Sequence, residues 1–184
     1  PVRIYRSNLQ AVDERQQIPN MDELPIPDYS DYFRDLKSLG PRHAFLPRLP
    51  MEISRGCWWN KKEDLKGKGG CTFCNLNIQW SGYRKKSPER TVLEIDTLVK
   101  RHQLLSISFM DNLLPAKGLE ELFYAIQGLG KDLRLFCEIR AKTSYSVLEA
   151  MGAAGMNKIQ VGVEALSTSL LKKFNKGTTA MDNF

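Results

Sequence analysis

The sequence predicts an α/β fold: a partial (β/α) TIM-like barrel of about four βα units, preceded by an extended N-terminal linker. Three observations predict it. From Leu49 onward, short β-type runs alternate with amphipathic runs of helical period, the order expected of a parallel sheet with right-handed crossovers. Each β-type run has one apolar and one polar face, so one side of the sheet needs helices and the other needs something polar. Three cysteines lie on the loop after the first run, at the end of the sheet where βα loops build active sites.

Residues 1–47 do not read as a domain. Apolar residues are sparse there, and Pro19, Pro25, Pro27 and Pro41 interrupt any long helix. One short helix fits 28–39, with Tyr29, Tyr32, Phe33 and Leu36 on one side. The stretch is expected to be a linker or arm lying on the domain formed by 48–184. A first strand is expected over 49–56, alternating Met51 and Ile53 against Glu52, Ser54 and Gly56. Ser87 suits an N-cap and Pro88 the first helical position, and Val92, Leu93, Ile95, Leu98 and Val99 give that helix its apolar face.

A second strand over 104–110 sets Ile107 and Phe109 against Ser106, Ser108 and Met110, and a helix over 118–128 follows. A third, over 133–139, sets Leu133, Leu135, Cys137 and Ile139 against Arg134, Phe136, Glu138 and Arg140. Its helix, 144–154, ends at Gly155. A fourth, over 158–164, sets Ile159, Val161 and Val163 against Lys158, Gln160, Gly162 and Glu164, and Ser167 caps a last helix to about Phe174. The apolar sets are expected to pack under helices. The polar sets are expected to line a lumen that holds a polar ligand, since parallel sheets seldom leave a face bare. Four strands do not close a barrel, so further strands or a covering partner are expected beyond the fourth. Pro1 is not an initiator Met, and the chain is expected to be a segment of a longer protein.

The composition, 42% hydrophobic and 26% charged, is that of a soluble globular domain. No apolar run approaches bilayer length and residues 1–10 lack a signal-peptide core, so no membrane association and a cytoplasmic location are expected. The net charge of +6 favours anionic partners weakly. Lys61, Lys62, Lys66 and Lys68 are read as a solvated loop rather than a nucleic-acid contact, because no aromatic or repeat pattern organises them.

Cys57, Cys71 and Cys74 form a C-x13-C-x2-C pattern. With no sign of secretion, clustered cysteines point to metal or redox chemistry. Cys137 falls by parity with Leu133 and Leu135 on the helix side and reads as a small core residue, so three candidate ligands remain. A cubane cluster on three thiolates leaves one iron open. The competing reading is a zinc-stabilised basic nucleic-acid-binding module, with Cys137 as fourth ligand.

The segments Ser54-Arg55-Gly56-Cys57-Trp58-Trp59, Cys71-Thr72-Phe73-Cys74-Asn75-Leu76-Asn77 and 83–90 resemble radical S-adenosylmethionine (SAM) enzymes that mature ribosomally made peptides. So do Met110-Asp111-Asn112, 159–168 and Lys176-Gly177-Thr178-Thr179-Ala180, while 22–29 resembles the linker after that family's cobalamin domain. The chain departs from the family in the long Lys/Gly-rich gap 60–70 and in Asn75, where the family has Gly.

The resemblance implies a 4Fe–4S cluster on Cys57, Cys71 and Cys74, with SAM chelating the fourth iron and yielding a 5′-deoxyadenosyl radical. It implies Phe73 beside the adenine. Asp111 and Asn112 would bind the methionine amine or ribose, or only cap the following turn. Arg140, Gln160 and Glu164, with Glu138, would bind ribose, carboxylate or substrate, or pair among themselves. The implied outcome is C-methylation of a precursor peptide with cobalamin from an upstream domain and electrons from a flavodoxin- or ferredoxin-like donor. Epimerisation or methylthio transfer on the same fold stays open.

Overall fold

A computed structural model describes residues 17–40, 46–60, 69–74 and 82–184. The lysine-rich stretch with Lys61, Lys62, Lys66 and Lys68, and Asn75, lie outside the described residues. The elements are α1 (Ser30–Ser38), β1 (Leu49–Met51), β2 (Ser54–Arg55), β3 (Arg84–Lys85), α2 (Pro88–His102), β4 (Ser106–Phe109), α3 (Leu119–Gln127), β5 (Arg134–Arg140), α4 (Tyr145–Ala153), β6 (Met156–Gly162) and α5 (Thr168–Lys173). Four strands form one parallel sheet in the order β1-β4-β5-β6, the expected α/β architecture.

Local chemistry sets the helix starts. The hydroxyls of Ser87, Ser144 and Ser167 accept from the backbone N–H of Arg90, Val147 and Leu170, taking up donors that the first helical turn leaves without partners. Lys100 and Arg101 place positive charge at the C-terminal turn of α2, where the helix dipole favours it. Gly155, at φ +95, lets β6 begin directly after α4, and a Cβ there would collide with the Leu133 carbonyl.

The helix-facing set predicted by parity forms the core. Leu49, Met51, Ile107, Phe109, Leu135, Cys137 and Ile139 pack against Ile95, Leu98, Leu122, Phe123, Ala150 and Met151. The Phe109 and Phe123 rings meet edge to face with centroids 6.4 Å apart. Beneath α2, Lys86 Nζ lies 2.8 and 2.9 Å from the carboxylate oxygens of Glu94, an ion pair closed off from water.

Residues of the 17–40 segment pack against β1 and α2. Met21 is buried, Tyr29 donates to the Pro50 carbonyl at 2.7 Å, and Phe33 stacks on His102 at 4.8 Å. Asp22 accepts from the Ser87 N–H, and Arg90 donates to the Leu24 carbonyl.

Two expectations need correction. The first strand does not run unbroken over 49–56. β1 ends at Met51, and β2 leaves the sheet to pair antiparallel with β3, Ser54 opposite Lys85. The cause is Asp111. Its carboxylate accepts the N–H of Ile53 and of Ser54 and the Ser54 hydroxyl, turning the chain away from the β4 ladder. The fourth strand's apolar set does not pack under helices either. Ile159 and Val161 are 42% and 40% exposed, because β6 is the sheet edge among the described residues and α5 buries Leu171 instead.

Candidate metal and cofactor site

The β2–β3 ribbon closes the neck of the cysteine loop: Ser54 precedes Cys57 by three residues, and Arg84 begins the return strand. Two arms of that loop are described, 57–60 and 69–74. Each carries a tight turn, with the Asn60 N–H donating to the Cys57 carbonyl and the Cys74 N–H to the Cys71 carbonyl, both at 3.1 Å. The second turn sets the C-x2-C pair on one rim.

Cys57, Cys71 and Cys74 are half-buried, and none of them is in a disulfide. They lie close enough for Cys57 and Cys74 both to act on Cys71. Burial raises the Cys71 thiol above its ordinary range, Cys57 and Cys74 add to the rise, and Lys176 and Arg140 oppose it. Among the described residues, no group of three or more His, Cys, Asp or Glu side chains is placed so as to hold a metal ion. A cubane takes one thiolate at each of three corners, so its ligands stand farther apart than those of one ion. Cys71, with Cys57 and Cys74 close enough to act on it and with Lys176 and Arg140 opposing them, brings thiols and positive charge together as such a cluster needs.

Cys137 is fully buried among core side chains between β4 and β6, and burial pushes its thiol up to about 12. It packs in the hydrophobic core, and no group of three or more metal-binding side chains among the described residues includes it, so the structure gives the zinc reading no fourth ligand there. Cys137→Ala is therefore expected to leave iron uptake at the wild-type level, measured as iron per chain after anaerobic reconstitution.

The other candidate residues divide. Arg140 lies at the rim. Its guanidinium sits 4.7 Å from the Trp59 ring centroid and 5.7 Å from that of Trp58, and it donates to the Lys176 carbonyl. Glu164, left-handed at φ 61, pairs with Lys176 Nζ at 2.8 Å, so it reaches the thiols through that lysine. Phe73 is 52% exposed and meets Phe174 edge-on at 5.3 Å. Asp111 is buried and turned to Ile53 and Ser54, which makes it a support of the loop neck. Asn112 is exposed just beyond it. Gln160 sits opposite Glu138 on the exposed face, two residues back from the Arg140–Gly162 pair at the strand ends.

Trp58, Trp59, Asn175, Lys176 and Gly177 also belong to the site, although reading the sequence assigned them no separate role. Trp58 donates to the Leu114 carbonyl at 2.9 Å and Trp59 to the Asn175 carbonyl at 2.8 Å. Beside them lies a cavity of about 370 Å³ walled by Leu114, Pro115, Ile139 and Arg140 among others. Adjacent tryptophans directly after a candidate ligand were the available signal.

The sequence profile of the Radical SAM superfamily matches residues 51–183. The chain belongs to the Radical SAM superfamily. Membership implies a 4Fe–4S cluster and SAM. An uncharacterised methyltransferase of Pyrococcus horikoshii is 29% identical over 95% of the chain and 36% of its own length. The bacteriochlorophyllide d C-12(1)-methyltransferase of Chlorobaculum tepidum is 22% identical over 100% and 38%. The 4′-phospho-dehydrooxetanocin synthase of Priestia megaterium is 24% identical over 88% and 23%. The chain thus spans well under half the length of these relatives. Among solved structures, the apo cobalamin-dependent SAM radical enzyme OxsB superposes with a TM-score of 0.58 at 23% identity, over 77% of this chain and 22% of that one, a likeness of fold. No helix among the described residues is long and apolar enough to cross a membrane.

Proposed function

We propose that this chain is the cluster- and SAM-binding part of a radical methyltransferase acting on a ribosomally made precursor peptide, with cobalamin held in a preceding domain. The observation that carries the radical reading is the meeting of Cys57, Cys71 and Cys74 with Lys176 and Arg140 at one rim of the sheet. Two relatives named as methyltransferases support methylation, and the OxsB fold supports the cobalamin. The peptide substrate rests on the sequence resemblance alone.

When bound, the reduced cluster and SAM supply a 5′-deoxyadenosyl radical. The chain's own residues position and shield. Arg140 and Lys176 offset the negative charge of the thiolates, and Glu164 holds Lys176 in place. Trp58 and Trp59 cover the Cys57 arm and keep water from that side. Phe73, on the rim between Cys71 and Cys74, offers a flat apolar surface for the adenine. A small flavodoxin- or ferredoxin-like protein supplies the electron.

The test is the full-length protein given a reductant, SAM, methylcobalamin and candidate precursor peptides. The reading predicts 5′-deoxyadenosine together with a methylated peptide. 5′-Deoxyadenosine with an epimerised peptide would replace methylation by epimerisation. Turnover only on a non-peptide substrate would overturn the peptide assignment.

A further inference from the structure

The cysteine loop has two arms, and an element outside the loop grips both. α5 ends in a Schellman motif: the Asn175 N–H donates to the Lys172 carbonyl, and the Lys176 N–H to the Leu171 carbonyl, both at 3.0 Å. Asn175 holds the left-handed position at φ 51, which asparagine tolerates better than most residues. A helix end of this kind leaves its last carbonyls turned outward without helical partners.

Here four consecutive carbonyls are all taken by the site. The Lys173 carbonyl accepts from the Thr72 hydroxyl at 3.3 Å, and that of Phe174 from the Thr72 N–H at 2.9 Å. The Asn175 carbonyl accepts from the Trp59 indole at 2.8 Å, and that of Lys176 from Arg140. The Asn175 side chain adds a bond in the other direction, donating to the Gly70 carbonyl at 2.7 Å. Asn175 therefore touches the Cys57 arm through its backbone and the Cys71 arm through its amide. Gly177 completes the seat, since a Cβ there would collide with the Trp59 ring.

We propose that the C-terminal cap of α5 is the template that sets the spacing of Cys57 from Cys71 and Cys74, with Asn175 as its positioning residue. This rests on the reading that the three thiols hold a cluster. Each of these bonds joins protein groups alone, so the proposal extends to the metal-free protein. Groups outside the ligand shell that orient ligands typically change metal affinity about 10–100-fold when lost.

The test uses full-length protein with Asn175→Gly, which keeps the left-handed position and deletes the amide, and Asn175→Asp, which keeps the shape but removes the donor. In metal-free protein, hydrogen exchange at the Thr72 amide should be slow in the wild type and about ten-fold faster in both variants, with the melting temperature little changed. After anaerobic reconstitution, both variants should release iron to a chelator about ten-fold faster than the wild type. Thr72 exchange at the same rate in all three proteins overturns the template whether or not iron is bound. Wild-type protein that shows the exchange difference but takes up no iron overturns the cluster reading and, with it, the positioning role. Equal iron release from all three, with the exchange difference present, overturns the positioning role alone.

Discussion

Asp111→Ala is expected to destabilise the protein by about 3 kcal/mol and to loosen the neck of the cysteine loop. Asp111 is 4% exposed, and its carboxylate accepts the N–H groups of Ile53 and Ser54 and the Ser54 hydroxyl. Alanine leaves the two N–H groups enclosed with no acceptor, while the Ser54 hydroxyl still reaches the Leu113 carbonyl at 3.1 Å. Each such orphan costs about 1–3 kcal/mol, and partial relaxation keeps the sum near the lower end. Because those bonds turn the chain from β1 into β2, the damage reaches Cys57 three residues past Ser54. Denaturation midpoints measure the stability, and iron uptake measures the effect on the site.

The same carboxylate gives a pH signature. Burial raises Asp111 from 3.8 to about 6, against the lowering pull of its bonds to Ser54 and Ile53. A raised acid means the folded state keeps its proton over a range where the unfolded state has lost it. Its contribution is full below the unfolded value and is lost as pH rises through about 6. The wild type should therefore lose about 2–3 kcal/mol between pH 4 and pH 6.5 relative to Asp111→Asn, which does not titrate. Parallel stability–pH curves for the two proteins would show that Asp111 titrates normally.

Glu94→Ala is expected to cost about 3–5 kcal/mol, read as a fall in the denaturation midpoint. The side chains of Lys86 and Glu94 are 3% and 1% exposed, so removing the carboxylate strands an ammonium away from water. Arg90 Nε, 3.7 Å from Glu94, loses its partner too. The pair joins the end of β3 to the second turn of α2, so its loss also slackens the ribbon at the loop neck. Replacing both partners, as Lys86→Met with Glu94→Leu, should restore most of the stability, because the desolvation cost of both charges disappears with them. A double variant no better than Glu94→Ala would show that the single loss comes from packing.

Much of the fold was legible because its causes are local. Ser87-Pro88 and Ser167 mark helix starts by side-chain chemistry a few residues away, and the structure places caps there. Period-two alternation placed Leu135, Cys137 and Ile139 on the helix side, which argued against Cys137 as a ligand. Parity says which side chains share a face, not what covers the face, and so Ile159 and Val161 were misjudged. The break at Met51 depends on Asp111, nearly sixty residues on, and no local pattern encodes it. The same holds for the site. Cys57, Cys71 and Cys74 announce themselves by spacing, and Arg140 and Glu164 by their place at strand ends. The α5 cap announces nothing until the chain is folded, since Trp59 and Asn175 lie 116 residues apart.

The most direct measurement of the central claim is iron and acid-labile sulfide per chain in anaerobically reconstituted full-length protein, with the electron paramagnetic resonance spectrum of its reduced form before and after SAM. The account predicts about four iron and four sulfide attributable to this site. It predicts a spectrum that changes when SAM is added, and loss of both features in Cys57→Ala, Cys71→Ala and Cys74→Ala. Tightly bound zinc with no iron uptake, or a cluster that survives Cys57→Ala with its response to SAM intact, would contradict it.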